Sequence, residues 1–202
     1  MSRQEFVEKL ADKHEAQIKR TLEDLEIRIV SEIANRKGDS ELLNTKISIA
    51  LRNDIRRFID ETYRTTADGF VREYDNIVRE FLKDFGTLSI PAKFKTLTQI
   101  DRDTITQLKF QQFAGFDDLA NRYLNEISAN VYQNAIAGKP FNEMVKDIRG
   151  IITGEVDRRG RPMSTYASQL AHDSVMQFDG QFTVFKAKEA GLKKFKYTVT
   201  LV

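Results

Sequence analysis

The first 36 residues carry apolar side chains that recur every three or four positions, with glutamate, lysine and arginine between them. This spacing places the apolar residues on one face of an α-helix, and such a face has to pack against other helices. The pattern predicts one helix from Ser2 to about Arg36, roughly 50 Å long at 1.5 Å per residue. Ser2 and Glu5 predict a capping box at its start, and Lys-Gly-Asp at 37–39 predicts its end. The apolar face comprises Phe6, Leu10, Ile18, Leu22, Leu25, Ile29 and Ile33.

The same period continues up to Gly86. A second helix is predicted to begin at Asp39 or Ser40, and a third to end at Gly86, which is typical of the position just after a helix. The pattern leaves open whether residues 65–69 break these two helices or only bend them. The third helix carries Phe70, Tyr74, Ile77, Phe81 and Phe85 on its apolar face.

The chain divides at its least regular stretch, residues 87–102, which contain Pro91. We interpret this stretch as a connection between a long-helix bundle at 1–86 and a second helical module at 103–202. Within the module, one helix is predicted from residue 103 and is expected to be interrupted at Gly115. Gly138 ends the next helix and Pro140 opens another, in line with the preference of glycine for helix ends and proline for first turns.

The last helix of the module begins after Ser164 and is expected to end at Gly191. The residues that follow alternate between apolar and polar side chains, which predicts a half-buried strand at 195–201. The fold class is therefore predicted as mainly α, with long amphipathic helices in an extended bundle and a small C-terminal module of helix plus strand. The apolar positions of the strand are Phe195, Tyr197, Val199 and Leu201.

Composition excludes several kinds of function. The chain has no cysteine, so disulfides, thiolate catalysis and cysteine-based zinc sites are excluded. Its 32 basic and 30 acidic residues give a formal net charge of only +2, so any contact with nucleic acid requires a local basic patch. No apolar run is long enough to span a membrane, and the charged N-terminal residues are unlike a signal peptide. We therefore expect a protein that works in the cytoplasm or in an assembly formed there.

The sequence contains no recognisable catalytic motif, and we expect neither an enzyme nor a cofactor. Gly138-Lys139-Pro140 lacks the glycine-rich loop of a phosphate site. Asp101 and Asp103 are better explained by the preference for acidic residues at helix starts than by a metal site. His172 and Asp173 are adjacent, and adjacent helical residues point in directions too different for easy pairing.

Two basic segments remain as candidate contact sites. Arg158, Arg159 and Arg161 surround Gly160 in a short loop, where they could bind phosphates, contact an acidic partner surface, or only be solvated. Lys193 and Lys194 precede the aromatic residues of the predicted strand, a pattern that core packing explains better than nucleic-acid binding. The candidate contact residues for a partner or nucleic acid are Arg158, Arg159, Arg161, Lys193, Lys194, Tyr197 and Val199.

The C-terminal third resembles a known family. The segment GKPFNEMVKDIRGIITG at 138–154, the longer helix after it, the KEAG stop at 188–191 and the aromatic strand are similar to the phage head morphogenesis module of the Mu F-like minor head proteins of tailed bacteriophages. The resemblance covers about residues 134–200. The residues that carry it are 171–174, Phe185, Glu189, Ala190, Gly191, Lys193, Lys194 and Tyr197.

The chain departs from the family pattern at several positions. Family members often have arginine where His172 stands, asparagine near Gly180 and tryptophan where Tyr197 stands. They also continue beyond the strand into a segment with a Cys/His cluster, which this sequence lacks, so the resemblance implies no metal site here. A single edge strand leaves backbone hydrogen-bonding groups for a partner strand, which would suit docking onto a portal or capsid ring.

The resemblance implies a structural minor head protein of a tailed phage virion, assembled in the host cytoplasm. It would bind portal or capsid subunits and assist head assembly or genome packaging and delivery. The apolar faces of the N-terminal helices could pack within the chain or against further copies of it. Two alternatives stay open: an internal virion protein that binds genomic DNA and is ejected with it, and a cytosolic helical scaffold unrelated to phage.

Overall fold

The structure is a computed structural model that describes residues 2–36, 45–154 and 162–192, and of residues 45–49 only the backbone. The chain is mainly helical, as predicted, and the described residues contain no strand. The strand predicted at 195–201 lies outside them, so only the helical part of the C-terminal module can be compared with the structure. The helices are α1 (Arg3–Arg36), α2 (Thr45–Ile59), a π-helix (Asp60–Arg64), α3 (Thr65–Gly86), a short 3₁₀ helix (Ala92–Phe94), α4 (Gln99–Ile136), α5 (Phe141–Ile152) and α6 (Met163–Glu189).

Helix α1 confirms the first prediction. Its start is fixed by the predicted capping box, in which the Glu5 backbone N–H donates to the Ser2 hydroxyl at 3.2 Å and the Ser2 N–H donates to the Glu5 carboxylate at 2.8 Å. The apolar face is almost fully buried along its length, from Val7 to Ile33. The packing of this face, rather than intrinsic propensity, therefore accounts for so long a helix.

Residues 65–69 do not break the helical chain. Helices α2 and α3 are joined by the π-helix, and the residues that flank it, Ile59 and Thr65, both have right-handed helical backbone angles. The extra residue of the wider turn is accommodated by a hydrogen bond from the Thr65 hydroxyl to the Asp60 carbonyl at 3.0 Å. The structure thus answers the question that the sequence left open: residues 45–86 form one continuous helical segment.

The predicted interruption at Gly115 is wrong, and α4 begins at Gln99 instead of residue 103. Glycine costs a helix only about 1 kcal/mol relative to alanine. Burial of the next residues, Phe116 and Ala120, outweighs that cost. A Cβ atom at Gly115 would lie 3.5 Å from Leu170 of α6, an ordinary packing distance, so Gly115 is a helical residue that faces α6 and not a break.

Side-chain contacts between the helices show their relative directions. Lys13 of α1 contacts Glu73 of α3 at 2.7 Å, and Thr21, later in α1, lies 3.1 Å from Thr66, earlier in α3, so these two helices are antiparallel. Arg3 contacts Asp179 of α6 at 2.6 Å, and Glu26, later in α1, accepts a hydrogen bond from Thr153, which precedes α6, so α1 is also antiparallel to α6. Helix α4 is antiparallel to α3, because Arg64 contacts Asp117 at 2.6 Å and Lys109, earlier in α4, contacts Asp75 in α3 at 2.7 Å. The result is an up-down-up-down four-helix bundle whose fourth position is filled by α5 followed by α6.

Two clusters of buried apolar residues fill the bundle, and helices before and after the 87–98 connection contribute to both of them. The first occupies the half of the bundle around α2 and α5, and the second occupies the half where α1 begins and α6 ends. The apolar faces of α1 and α3 are buried in these two clusters. They are therefore packed within the chain, which was one of the two possibilities for them.

His14 lies in this core with no exposed surface, stacked on the Phe70 ring at 4.1 Å between centroids. Its Nε2 lies 3.3 Å from the Glu73 carboxylate, and its Nδ1 has no hydrogen-bond partner among the described residues. Burial lowers the pKa of His14, and the hydrogen bond to Glu73 offsets this only in part. The folded chain therefore keeps this side chain neutral to lower pH than the unfolded chain does.

This lowered pKa predicts a stability that falls with acidification. Below about pH 6.5 His14 is protonated in the unfolded chain but stays neutral in the folded chain. Protonation therefore favours the unfolded state, and the free energy of unfolding decreases as the pH falls. Urea unfolding followed by circular dichroism at about pH 7.5 and about pH 5.5 should show this loss, and His14→Phe, which keeps the ring stack, should show a smaller one. An equal loss in both proteins would contradict the prediction.

A buried ion pair joins the start of α4 to the end of α6. Lys186 Nζ lies 2.9 and 3.0 Å from the two oxygens of Asp101, and both side chains are fully buried. Asp101 also completes a capping box with Thr98, which confirms the helix-start interpretation for Asp101, whereas Asp103 lies beyond the first turn. Burial alone would raise the pKa of Asp101, but hydrogen bonds from Thr98 and from Lys186 lower it.

Candidate functional site

The seven candidate contact residues all lie outside the described residues. Arg158, Arg159 and Arg161 belong to 155–161, and Lys193, Lys194, Tyr197 and Val199 belong to 193–202. The structure does describe the points at which these two segments join the bundle. These points are Gly154 and Pro162 for the arginine segment, and Leu192 for the terminal segment.

The two ends of the arginine segment are in contact. Gly154 has a φ of +81°, and a Cβ atom there would lie only 2.6 Å from Cγ of Pro162. A side chain at residue 154 would thus be disfavoured twice, by the left-handed backbone and by the contact. The two residues that flank the arginine segment therefore lie side by side between α5 and α6.

The arginine segment and the terminal segment join the bundle at opposite ends of α6. This helix has 27 residues, which corresponds to about 40 Å. Gly191, with a φ of +70°, ends the helix as predicted and is followed by the last described residue, Leu192. The two basic segments are consequently not brought together by the residues that anchor them.

Residues 171–174, which the sequence comparison with the family singled out, lie in the middle of α6. Ala171 and Ser174 are fully buried, and the Tyr74 hydroxyl of α3 donates to the Ser174 hydroxyl at 2.7 Å. Ser174 in turn donates to the Ala171 carbonyl at 3.1 Å. Small residues at this level of α6 let the ring of Tyr74 approach the helix, which is a packing role.

A polar groove lies beside the anchor of the arginine segment, where α5 gives way to α6. We call it the junction groove. It has a volume of about 640 Å³. Its α1 wall consists of Glu15, Lys19 and Glu23, and Thr153 and Ser164 lie at the anchor. Its α6 wall consists of Thr165, Ser168, Gln169, His172 and Asp173.

Helix α6 contributes a hydroxyl without a partner to this groove. Ser168 is only 6% exposed, and its Oγ has no hydrogen-bond partner in the described structure. Ser164, one turn earlier, uses its hydroxyl to donate to the Thr153 carbonyl at 3.2 Å, which ties the start of α6 to the end of α5. A buried hydroxyl that makes no bond is costly unless something else bonds to it.

The carboxylates of the groove differ in their partners. Glu15 forms an ion pair with Lys19 at 2.6 Å, one helical turn away. Glu23 forms no ion pair among the described residues, and Asp173 lies 3.5 Å from Nδ1 of the neighbouring His172. That distance is at the limit of a hydrogen bond, so these adjacent side chains do approach each other, contrary to the expectation from helix geometry. Among the described residues, Glu23 has no ion-pair partner and Asp173 has only this long contact.

A buried network closes the end of the groove nearest α5. Glu26 of α1 is 8% exposed and accepts a hydrogen bond from the Thr153 hydroxyl at 2.5 Å. Its other oxygen lies 3.1 Å from Nε of Arg149. This network fixes the residue that precedes Gly154, and it thereby fixes the floor of the groove relative to α1.

The groove lacks the geometry of a nucleophilic site. His172 is one turn from Ser168, but the Ser168 hydroxyl forms no hydrogen bond to it, so no base activates the hydroxyl. Across residues 2–36, 45–154 and 162–192, no three histidine or acidic side chains come together to hold a metal ion. None of the helices in those ranges is both long and apolar enough to cross a bilayer.

Comparison with protein-family models, with curated proteins and with solved structures finds no significant match to this chain. The similarity to Mu F-like minor head proteins therefore rests on the residues quoted above, among which Gly191 and the helix before it have the predicted conformation. The bundle and the junction groove have to be interpreted from their own chemistry.

Proposed function

We propose that this chain is a structural minor head protein of a tailed bacteriophage, which binds portal or capsid subunits in the virion and assists head assembly or genome packaging and delivery. The proposal is supported by the similarity of the C-terminal third to that family. It is also supported by the rigid four-helix bundle, since a protein that joins other subunits needs a stiff frame more than a reactive site.

The observation that carries the proposal is that the two basic segments join the described chain at opposite ends of α6, the helix that bears most of the resemblance. The arginine segment precedes Pro162, and Lys193 and Lys194 follow Gly191 and Leu192. The two points of attachment are thus separated by the length of the helix, about 40 Å. Two separated contacts fix the orientation of one subunit on another, which a single contact does not.

The proposal is tested by light scattering of the purified protein with and without the portal ring encoded in the same genome. We expect a complex of defined stoichiometry, weakened by deletion of 193–202 and by joint replacement of Arg158, Arg159 and Arg161 with alanine. The matched control replaces three exposed helical arginines with alanine and should bind normally. The control residues are Arg20, Arg72 and Arg79. A protein that ignores both portal and capsid subunits contradicts the proposal.

A second candidate function is the binding of genomic DNA by an internal virion protein. It is favoured by the concentration of three arginines within 158–161. The residues that flank this segment, Gly154 and Pro162, lie close together. If this function is correct, DNA affinity should fall steeply with salt, and the triple arginine replacement should reduce the slope of log affinity against log salt concentration. Absence of DNA binding at low salt removes this candidate.

A further inference from the structure

We propose that the exposed side of α4 binds the same side of a second copy of this chain, in an antiparallel dimer with two-fold symmetry. We call this surface the α4 face, and it consists of the exposed residues of Gln99–Ile136. The proposal does not depend on the role in a phage head. It rests on three properties of the α4 face: its apolar side chains, its low charge, and the order of its residues along the helix.

The α4 face exposes large apolar side chains. Of the seven such side chains that are exposed in the described part of the chain, four lie on α4. At about 100° per residue these four fall within about 80° of arc, on the side opposite the residues that α4 buries in the core. Large apolar side chains grouped on one exposed face indicate a surface that binds another protein. The four residues are Ile100, Phe110, Tyr132 and Ile136.

The α4 face also carries few charges. Four of the sixteen exposed residues of α4 are charged, whereas eight of the fourteen exposed residues of α1 are charged. None of the four is lysine or glutamate, the charged residues that protein interfaces most often lack. Two arginines and two aspartates cancel, so the face does not select nucleic acid or a strongly charged partner. The four charged residues are Arg102, Asp103, Asp118 and Arg122.

The order of the apolar residues makes the α4 face complementary to itself. In an antiparallel pair of identical helices, each residue lies level with the residue equally far beyond the two-fold axis. With the axis between residues 119 and 120, Phe110 of one copy lies within one turn of Tyr132 of the second copy, and Ile100 lies within one turn of Ile136. These separations are about six and about ten helical turns, so both members of each pair lie on the same side of the helix. Each pair is formed twice.

The same axis pairs opposite charges. Asp118 and Arg122 are exposed and one turn apart, and neither forms an ion pair with any residue that the structure describes. The Arg122 guanidinium instead lies over the rings of Tyr123 and Tyr166, at 5.5 and 5.0 Å from their centroids. In the antiparallel dimer, Asp118 of each copy lies level with Arg122 of the other. In a parallel dimer, equal charges would lie level and repel, so the charges select the antiparallel arrangement.

The size of the α4 face suits a weak dimer. A standard protein interface uses about 20–30 residues of each partner. The sixteen exposed residues of α4, together with the adjoining edges of its neighbours, come close to the lower end of that range. We therefore expect a dissociation constant in the micromolar range, with monomer at about 1 µM protein and dimer above about 100 µM.

The experiment is sedimentation equilibrium of the full chain between about 1 and about 200 µM. We expect a monomer–dimer equilibrium. Asp118→Arg and Arg122→Asp each replace attraction by repulsion at both ion pairs, and each should weaken the dimer about tenfold or more. Mixed in equal amounts, the two variants should form a heterodimer about as tight as the original dimer, because every charge then meets its opposite. Only the antiparallel register proposed here predicts this recovery.

A matched pair of variants tests the apolar contact. Phe110→Ser should weaken the dimer about tenfold or more, whereas Ile27→Ser, which replaces an exposed apolar residue of α1, should change it less than about twofold. All the replaced side chains are exposed, and unchanged unfolding of each variant at about 1 µM, where the chain is monomeric, shows that the bundle is intact.

Four results would overturn the proposal. They are a chain that stays monomeric throughout the concentration range, a dimer that Phe110→Ser and Ile27→Ser weaken equally, charge variants that dimerise as tightly as the unchanged chain, and charge variants whose mixture stays monomeric.

Discussion

Replacement of Lys186 by methionine is expected to lower the free energy of unfolding by about 3–5 kcal/mol. The Lys186 ammonium has no exposed surface and donates to both oxygens of Asp101 and, at 2.6 Å, to Glu189. Methionine fills similar space but leaves the Asp101 carboxylate buried without its countercharge. Hydrogen bonds from Thr98 remain, so the carboxylate is not left wholly without partners.

Urea unfolding at neutral pH measures this effect, and two further variants define its cause. Lys188→Met removes an exposed lysine two residues away and should change stability by no more than about 0.5 kcal/mol. Lys186→Met combined with Asp101→Asn should recover part of the loss, because a neutral amide needs no countercharge. If Lys186→Met costs no more than Lys188→Met, the buried pair is not what holds α4 to α6.

Replacement of Phe178 by alanine is expected to cost about 3–5 kcal/mol, the range for removing a large aromatic side chain from a packed core. Phe178 is fully buried in the middle of α6. Its ring lies 4.8 Å from that of Tyr74 and 6.4 Å from that of Phe182, between centroids. The helices at this level are held by their own hydrogen bonds and by the Tyr74–Ser174 contact, so the cavity can close only in part.

Chemical denaturation of this variant should be compared with that of Phe110→Ala. Phe110 is the same residue type on α4, but it is 70% exposed. Its replacement should change stability by less than about 0.5 kcal/mol, because little apolar surface is returned to water. Equal costs for the two variants would mean that the second apolar cluster does not pack as described.

The helices themselves could be predicted because their signals are local. Ser2 with Glu5, and Gly191, act within one turn of the residues whose backbone they satisfy or bend. The continuity of α4 through Gly115 could not be predicted in the same way. It depends on tertiary burial of Phe116 and Ala120, which outweighs the preference of glycine against helices.

Only one wall of the junction groove, the one on α6, could be predicted from the sequence. Ser164, Ser168 and His172 recur every four residues, which places hydroxyls and an imidazole on one face of the last helix. The opposite wall, with Glu15 and Glu23, could not be predicted from the sequence. These residues come near α6 only through the antiparallel packing of α1 against it. The unsatisfied hydroxyl of Ser168 likewise exists only once that contact has excluded water.

The contact between Gly154 and Pro162 allows the peptide between them to be replaced without a change in the helices of the bundle. Because Gly154 and Pro162, which flank residues 155–161, lie side by side, a longer or different peptide can be grafted between them without changing the distance between α5 and α6. Loop-closure entropy rises only slowly with length, so such a graft costs little stability. The frame and the peptide it displays can therefore diverge separately: the same four rods could present another sequence to another partner with no change in the core.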